Sequence, residues 1–188
     1  MSSVIKRSVA RGFTLIELLI VVIILAILAA IAIPQFSAST SDAQMAALDS
    51  NLATMRSAIE QYRAQHTNNP YPGALAVPNG TACPGGGTSA AAAVGAEAMR
   101  AQLTLFTNAA GVACPSRDNN FRYGPYLRQG IPTEPFSNSA VVTVPENGAA
   151  LAVNAAGDGW AYSTGTGQFI KNSNAADGAA GDRTFNQH

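Results

Sequence analysis

Few residues in this sequence have the chemistry that catalytic sites use most often. It contains two histidines, His66 and His188, so a histidine-based triad or a multi-histidine metal site has little to build on. The glycine-rich stretch at residues 85–89 lacks the lysine that a phosphate-binding loop requires, which favours a flexible connector. Neither an HExxH nor a GxSxG pattern is present. The sequence therefore predicts a protein that is not an enzyme.

One carboxylate lies in an unusual place. Glu17 is near the start of a run, residues 13–33, in which only Thr14 and Glu17 have polar side chains. A carboxylate in hydrocarbon costs at least ~2.5 kcal/mol. Either a partner offsets this cost, or the carboxylate is tolerated at the membrane interface.

The apolar run predicts a membrane-spanning helix. About 21 residues at 1.5 Å each give roughly 31 Å, which matches the hydrocarbon core of a bilayer. Lys6, Arg7 and Arg11 precede the run and should stay cytoplasmic, which places the chain beyond Pro34 on the far side. Lys plus Arg and Asp plus Glu number 11 each, without the bulk charge of a nucleic-acid binder, and removing the first twelve residues leaves a net charge of −3.

An apolar run behind a basic leader has two common explanations. It is typical of a secretory signal, with small residues at Ala30-Ile31-Ala32 for cleavage, and it is equally typical of a plain anchor. Neither explanation accounts for Glu17.

The residues around Glu17 resemble a known processing motif. Gly12-Phe13-Thr14-Leu15-Ile16-Glu17, with a basic leader before it and an apolar helix with Pro34 after it, is similar to the N-terminus of type IV prepilins and type II secretion pseudopilins. The resemblance implies that a membrane-embedded prepilin peptidase removes residues 1–12 by cutting between Gly12 and Phe13. It also implies N-methylation of Phe13.

This resemblance suggests a partner for Glu17. Cleavage creates an ammonium at Phe13, and methylation keeps its charge. Inside a filament the amino terminus of a neighbouring subunit would pair with Glu17 and fix the register of assembly. A partner within the same chain remains open, because Phe13 and Glu17 are one helical turn apart.

Helical periodicity continues beyond the apolar run. Apolar residues recur with spacings of three and four on one face, at Met45, Leu48, Leu52, Met55, Ile59 and Tyr62. The pattern predicts one helix over residues 13–66, divided into a membrane and assembly segment (13–34) and an amphipathic segment (35–66). Pro34 should kink the helix or melt it locally near residues 31–34. The apolar face should pack on the chain's own globular head rather than form a coiled coil.

The head is predicted to span residues 67–171, followed by an irregular tail at 172–188. Thr88 or Ser89 is expected to cap a second helix that ends near Thr107. Its inner face would carry apolar residues, namely Ala96, Met99, Leu103 and Phe106. Cys83 and Cys114 bracket this helix beyond the membrane, where disulfides persist, and we expect them to pair. The alternative is two buried free thiols.

Short strands separated by turn residues complete the head. Residues 140–144 and 149–153 predict one hairpin, and residues 160–163 and 168–171 predict another. Together these elements predict an α+β fold, in which a long N-terminal helix packs on a small antiparallel sheet.

The resemblance extends more weakly into the head. Residues 123–127, 131–136, 159–162 and 166–167 are similar to the C-terminal half of major pseudopilins and related short pilins. Those relatives usually carry Asp-Pro-Trp-Gly where this chain has Glu134-Pro135-Phe136-Ser137, which weakens the resemblance to secretion pseudopilins.

One ligand hypothesis concerns the tail. Asn174, Asp177 and Asp182 gather oxygen donors around glycines, and calcium favours such donors. Major pseudopilins resemble this chain in having a calcium-holding C-terminal loop. A solvated polar tail explains the same residues, and no other cofactor is expected.

The resemblance implies a structural function. The chain would be an inner-membrane precursor with a periplasmic head, which a pilus or secretion assembly platform builds into a homopolymeric filament. Two versions are open: an extracellular type IV pilus or a periplasmic type II secretion pseudopilus. A monomeric, membrane-anchored binding module is the alternative from another class. No sequence feature demonstrates nucleic-acid binding.

Overall fold

The computed structural model describes residues 12–66, 71–89, 92–145, 149, 151–153 and 157–174, without the side chains of Pro34, Ser37 and Ala38. The chain forms two compact units, one ending at Ala43 and the other beginning at Gln44. Both units contain part of the first helix, α1 (Leu15–Gln65).

The first unit contains the apolar part of α1. Leu15–Ile33 is 19 residues long and apolar enough to cross a membrane by length and composition. The helix continues through Pro34 without a break, so the local melting predicted near residues 31–34 is not observed. Proline removes one backbone donor, and an otherwise regular helix tolerates the loss of that single bond here.

The second unit is built on the amphipathic part of α1. The predicted apolar face is buried, with Leu48, Leu52, Met55, Ile59 and Tyr62 all at most 1% exposed and Met45 partly buried. These side chains share one core with Met99, Leu103, Trp160, Tyr162 and Phe169. Full burial of each large aliphatic side chain contributes roughly 1.5–3 kcal/mol. The three-and-four spacing was therefore sufficient to identify this side of the core.

The second helix, α2 (Ala96–Thr104), starts later than predicted. Ser89 does not cap it, because the Ser89 hydroxyl donates to the carbonyl of Pro78 (2.6 Å) and accepts from the N–H of Thr81 (3.1 Å). Gly95 precedes the helix instead, at φ 99°, a backbone angle that favours glycine. Met99 and Leu103 are buried as predicted, whereas Phe106 lies beyond the helix.

Two small sheets follow α2. The first pairs β1 (Phe106–Thr107) with β2 (Ala113–Cys114) in antiparallel fashion. The second contains β3 (Val142–Thr143), β4 (Trp160–Tyr162) and β5 (Phe169–Lys171) in the order β3-β4-β5. The predicted hairpin of residues 160–163 with 168–171 is present as the antiparallel β4–β5 pair. The α+β fold class is confirmed.

The partner of β3 differs from the prediction. Val142 and Thr143 pair in parallel with Trp160 and Ala161, not with the segment at residues 149–153. A parallel pair needs a crossover of about a dozen residues or more, and residues 144–159 provide this length. The predicted hairpin of residues 140–144 with 149–153 was therefore wrong. Local turn residues do not indicate that β3 pairs with the buried strand at Trp160.

Candidate assembly site

The carboxylate of Glu17 has local partners at the start of α1. Glu17 Oε2 accepts hydrogen bonds from the N–H of Thr14 (2.9 Å) and from the Thr14 hydroxyl (2.7 Å). The N–H of Glu17 donates in return to Thr14 Oγ1 (3.3 Å). This reciprocal arrangement is a capping box, which satisfies backbone donors that the first helical turn leaves without partners. The Thr-x-x-Glu spacing signals it in the sequence, and our sequence reasoning missed it.

The capping box leaves part of the carboxylate for another group. Within residues 12–66, both hydrogen bonds that the structure gives to this carboxylate go to Oε2. Oε1 therefore remains open to a further donor. Phe13, whose amine would be freed by cleavage, is 83% exposed.

The surface of the helix around Glu17 is apolar on all sides. The exposed fraction of every large apolar side chain in Leu15–Ile33 lies between 47% and 84%. Monomeric soluble proteins rarely expose contiguous apolar patches larger than a few hundred Å². This half of α1 must be covered by lipid or by other protein.

Several predicted site residues have no described side-chain environment. Pro34 lies within α1, but nothing is described of its side chain, and the basic leader residues Lys6, Arg7 and Arg11 lie outside the described residues. Asp177 and Asp182 of the proposed calcium site also lie outside them, whereas Asn174 is described and exposed. In the part of the chain that is described, no three His, Cys, Asp or Glu residues form a group suited to a metal ion.

One buried amide oxygen belongs to the first residue of the tail. Asn172 is 3% exposed, and its buried Oδ1 has no hydrogen-bond partner among the described residues. Its Nδ2 donates two long bonds, to Thr143 Oγ1 (3.4 Å) and to the carbonyl of Asp158 (3.5 Å). A buried amide oxygen without a partner carries a desolvation cost, and oxygen of this type is what calcium binds.

Cys83 and Cys114 form a disulfide with their Cα atoms 5.7 Å apart. The two cysteines are 7% and 0% exposed and pack with the ring of Phe121 in a cluster separate from the main core. The disulfide thus joins the loop before α2 to strand β2. It has a structural role, because both sulfurs are buried and bonded to each other.

His66 has a structural role as well. It is 2% exposed and stacks on Tyr62 with ring centroids 3.9 Å apart. Its Nδ1 lies 2.8 Å from the carbonyl oxygen of Tyr62, to which it donates, and its Nε2 lies 2.9 Å from Thr107 Oγ1, from which it accepts. Burial lowers the pKa of His66, and the hydrogen bond to Tyr62 opposes this shift. The ring therefore ties the end of α1 to β1.

Glu134 organises the turn at residues 134–137. Its carboxylate accepts hydrogen bonds from the N–H groups of Phe136 (2.9 Å) and Ser137 (2.7 Å) and from the Ser137 hydroxyl (2.6 Å). The same Ser137 oxygen accepts from the N–H of Gly159 (3.1 Å). Glutamate can therefore hold this turn against the strand segment before β4.

The known proteins that are similar to this chain match it over short stretches. The family model of the prokaryotic N-terminal methylation motif matches residues 7–33. The type IV major fimbrial protein FimA of Dichelobacter nodosus is 52% identical over 54 residues, covering 29% of this chain and 35% of FimA. The type IV narrow pilus major component PilA5 of Thermus thermophilus is 53% identical over 49 residues, covering 26% of this chain and 42% of PilA5.

A secretion protein matches a slightly longer stretch. The type II secretion system core protein G of Klebsiella michiganensis is 29% identical over 65 residues, covering 35% of this chain and 46% of that protein. The chain thus spans less than half the length of each of these three relatives. No solved structure matches the chain.

The N-terminal residues of this chain are therefore similar to those of type IV pilins and of a type II secretion core protein.

Proposed function

We propose that this chain is the repeating subunit of a type IV pilus. A prepilin peptidase would cut between Gly12 and Phe13 and methylate the new amino terminus. The processed chain would leave the inner membrane through an assembly platform and polymerise through the first half of α1. The observation that carries the proposal is the apolar surface of Leu15–Ile33, which is exposed on every side around one carboxylate.

Polymerisation is supported by the burial that this surface requires. Packing helix against helix covers apolar side chains that otherwise need lipid. Glu17 would then leave water, and a buried carboxylate is tolerated when it has a charged partner and hydrogen bonds. Thr14 already supplies hydrogen bonds to Oε2, and the ammonium of a neighbouring Phe13 would supply the charge at Oε1.

A pseudopilin of a type II secretion system is the second candidate. It is supported by the match to core protein G, which extends over 65 residues, and by the similarity of residues 159–162 and 166–167 to major pseudopilins. The pilus is favoured because FimA and PilA5 are more than 50% identical over their matched stretches. A monomeric anchored module would leave the helix in lipid and would give Glu17 no partner from another copy.

A calcium ion bound near the C-terminal tail is a further part of the proposal. Asn174, Asp177 and Asp182 would supply oxygen ligands. Asn172, whose Oδ1 has no hydrogen-bond partner among the described residues, lies two residues before Asn174. Calcium would join the tail to the end of the second sheet. Without the ion, the tail has few apolar side chains with which to pack on the head.

Mass spectrometry of the mature N-terminus is the direct test. Fibres sheared from cells should contain a chain that begins with N-methylated Phe13. A chain that still carries Met1, or one that begins after Ala32, would contradict the proposal. Deleting the gene and measuring surface fibres, twitching and secreted enzymes then separates pilus from pseudopilus, and crosslinks between neighbouring α1 helices exclude a monomeric module.

A further inference from the structure

A surface groove lies between α1 and the loop at residues 126–133, which we term the rim loop. The groove contains a hollow of about 580 Å³, a volume typical of ligand sites. A second hollow of about 400 Å³ adjoins it along residues 53–61 of α1, and Thr54 and Tyr126 line both. The groove is therefore elongated, which suits a chain-like ligand better than a single small molecule.

The rim loop is held firmly at both ends. At its start, two backbone N–H groups donate to the carbonyl of Leu103, at 2.9 Å each. Leu127 and Ile131 are buried in the main core. Near its end, the carbonyl of Pro132 accepts a hydrogen bond from Trp160 Nε1 (2.8 Å). A rigid support of this kind lowers the entropic cost of binding.

Side chains of α1 tie the rim loop to the opposite wall of the groove. Asn51 Nδ2 donates to the carbonyl of Thr133 at 3.1 Å. The Tyr126 hydroxyl donates to Gln65 Oε1 at 2.8 Å. These two hydrogen bonds, about four helical turns apart on α1, fix the distance between the walls.

The lining of the groove has one charge and many uncharged polar groups. Among the described residues that line it, Arg128 alone is charged. Arg128 is exposed and belongs to neither of the ion pairs found in the described part of the chain, Arg63–Glu60 and Lys171–Glu134. The amides and hydroxyls of the lining are those of Asn51, Thr54, Ser57, Gln61, Gln129 and Thr133. Such a lining matches a ligand with one negative charge and many hydroxyl groups.

Tyr126 provides an aromatic surface between the two hollows. Its ring packs edge to face with that of Tyr62, with centroids 5.7 Å apart and an angle of 73° between the planes. Tyr126 is only half-buried, so part of the ring is accessible to a ligand. The face of an aromatic ring is electron-rich, and it attracts the C–H bonds on the apolar side of a sugar ring.

We propose that the groove binds an oligosaccharide in which a uronic acid alternates with neutral sugars. The guanidinium of Arg128 would hold the carboxylate through two parallel hydrogen bonds. The amides of Asn51 and Gln129 would exchange hydrogen bonds with sugar hydroxyls, because an amide offers both donors and an acceptor. The ring of Tyr126 would stack on one sugar. A strongly acidic peptide fits less well, because it needs several cations where the groove has one.

The site belongs to a single chain. Its residues all lie in the second compact unit, which begins at Gln44. Binding therefore does not depend on the proposed pilus, and a failure of the pilus proposal would leave the binding measurements interpretable. If the filament forms with the groove accessible, a long polysaccharide would contact many copies with a gain in avidity.

The test uses the full chain in detergent and a fluorescently labelled hyaluronan hexasaccharide, in which glucuronate alternates with N-acetylglucosamine. Fluorescence anisotropy at low salt should show binding. The variant R128Q should bind roughly tenfold more weakly, because it loses a charge-assisted pair. The variant Q129A should bind roughly fivefold more weakly, because it loses a hydrogen bond. The matched control R117Q removes the same charge from an exposed arginine outside the groove and should bind like wild type.

Thermal unfolding keeps the variants interpretable. Arg128 and Gln129 are exposed, so R128Q and Q129A should unfold at the temperature of wild type. A loss of binding at unchanged stability then reports on the groove itself.

Each alternative outcome overturns the proposal. The absence of binding by wild type refutes it, and so does an equal loss in R117Q, because charge anywhere on the head would then explain the affinity. Neutral chitohexaose that binds as tightly would remove the role of the carboxylate. Hexaglutamate that competes equally well would identify a general anion surface. Loss of filaments in R128Q, with no binding by wild type, would assign the groove to a second copy of the chain.

Discussion

Lys171 Nζ lies 3.5 Å from Glu134 Oε1 in an ion pair whose side chains are 6% and 0% exposed. The ammonium also lies 4.2 Å from the ring centroid of Phe136. Burial of two charges costs several kcal/mol each, so such a pair is maintained only with good geometry and further hydrogen bonds. Three donors from the turn at residues 134–137 supply these bonds to Glu134. The pair therefore fastens that turn to β5.

Replacing Glu134 by alanine should strongly destabilise the head. The variant leaves the Lys171 ammonium buried without its carboxylate, and breaking a buried pair in this way costs about 3–5 kcal/mol. Urea unfolding of the full chain in detergent measures the change. The matched control is R63Q, which breaks the exposed Arg63–Glu60 pair and should cost less than about 1 kcal/mol. Equal costs for the two variants would show that burial of the Glu134 pair has no energetic consequence.

Acid should destabilise the head through His66. Burial lowers the pKa of His66 in the folded chain, so the unfolded chain binds more protons at mildly acidic pH. The pKa of histidine in the unfolded chain is about 6.5. The free energy of unfolding should therefore decrease as the pH falls from this value toward the lower pKa of His66 in the folded chain. Thermal unfolding between pH 8 and 5 measures the slope. The variant His66→Gln should show a weaker dependence of stability on pH, even if the variant is less stable at every pH. An unchanged slope would mean that other titratable groups cause the pH dependence.

Removing the disulfide should cost about 3–4 kcal/mol for a loop with a sequence separation of 31. The test variant is C83S/C114S, compared with the oxidised wild type by urea unfolding. Hydrogen exchange should increase around Phe121, which packs on the disulfide, and stay unchanged around Trp160 in the main core. Increased exchange at Trp160 would mean that the disulfide supports the whole head.

The periodic elements were predictable and the long-range partners were not. The buried face of α1 from Leu48 to Tyr62 could be predicted because apolar residues recur at helical spacing along it, and this spacing places them on one side of the helix. The start of α2 was missed because Ser89 is used by a loop contact with Pro78 that has no local signature. The Glu134–Lys171 pair joins residues far apart in sequence, so no pattern indicates it. The capping box at Thr14 and Glu17 did have a signature, which the search for a charged partner overlooked.

Calcium should bind the full chain if the tail forms the proposed site. Calorimetry should give heat below millimolar calcium, because carboxylate and amide oxygens are the ligands that this ion prefers. The variant D177N/D182N should lose the heat. The control D42N/E60Q removes the same charge from exposed positions on α1 and should keep it. The absence of heat at millimolar calcium in wild type would remove calcium from the proposed function.

Two variants separate the capping role of Glu17 from its proposed role in assembly. Glutamine can replace glutamate in a capping box, so Glu17→Gln keeps the bonds with Thr14 but removes the charge. Thr14→Val does the opposite, because it keeps the carboxylate and loses the cap, at about 0.5–2 kcal/mol of helix stability. If the ammonium of a neighbouring Phe13 pairs with Glu17, filaments should be lost in Glu17→Gln and retained in Thr14→Val. Both variants should still be cleaved after Gly12, and mass spectrometry of the mature N-terminus checks this. The reverse pattern of filament yield would make Glu17 a helix cap, and the charge would then need no partner from another copy.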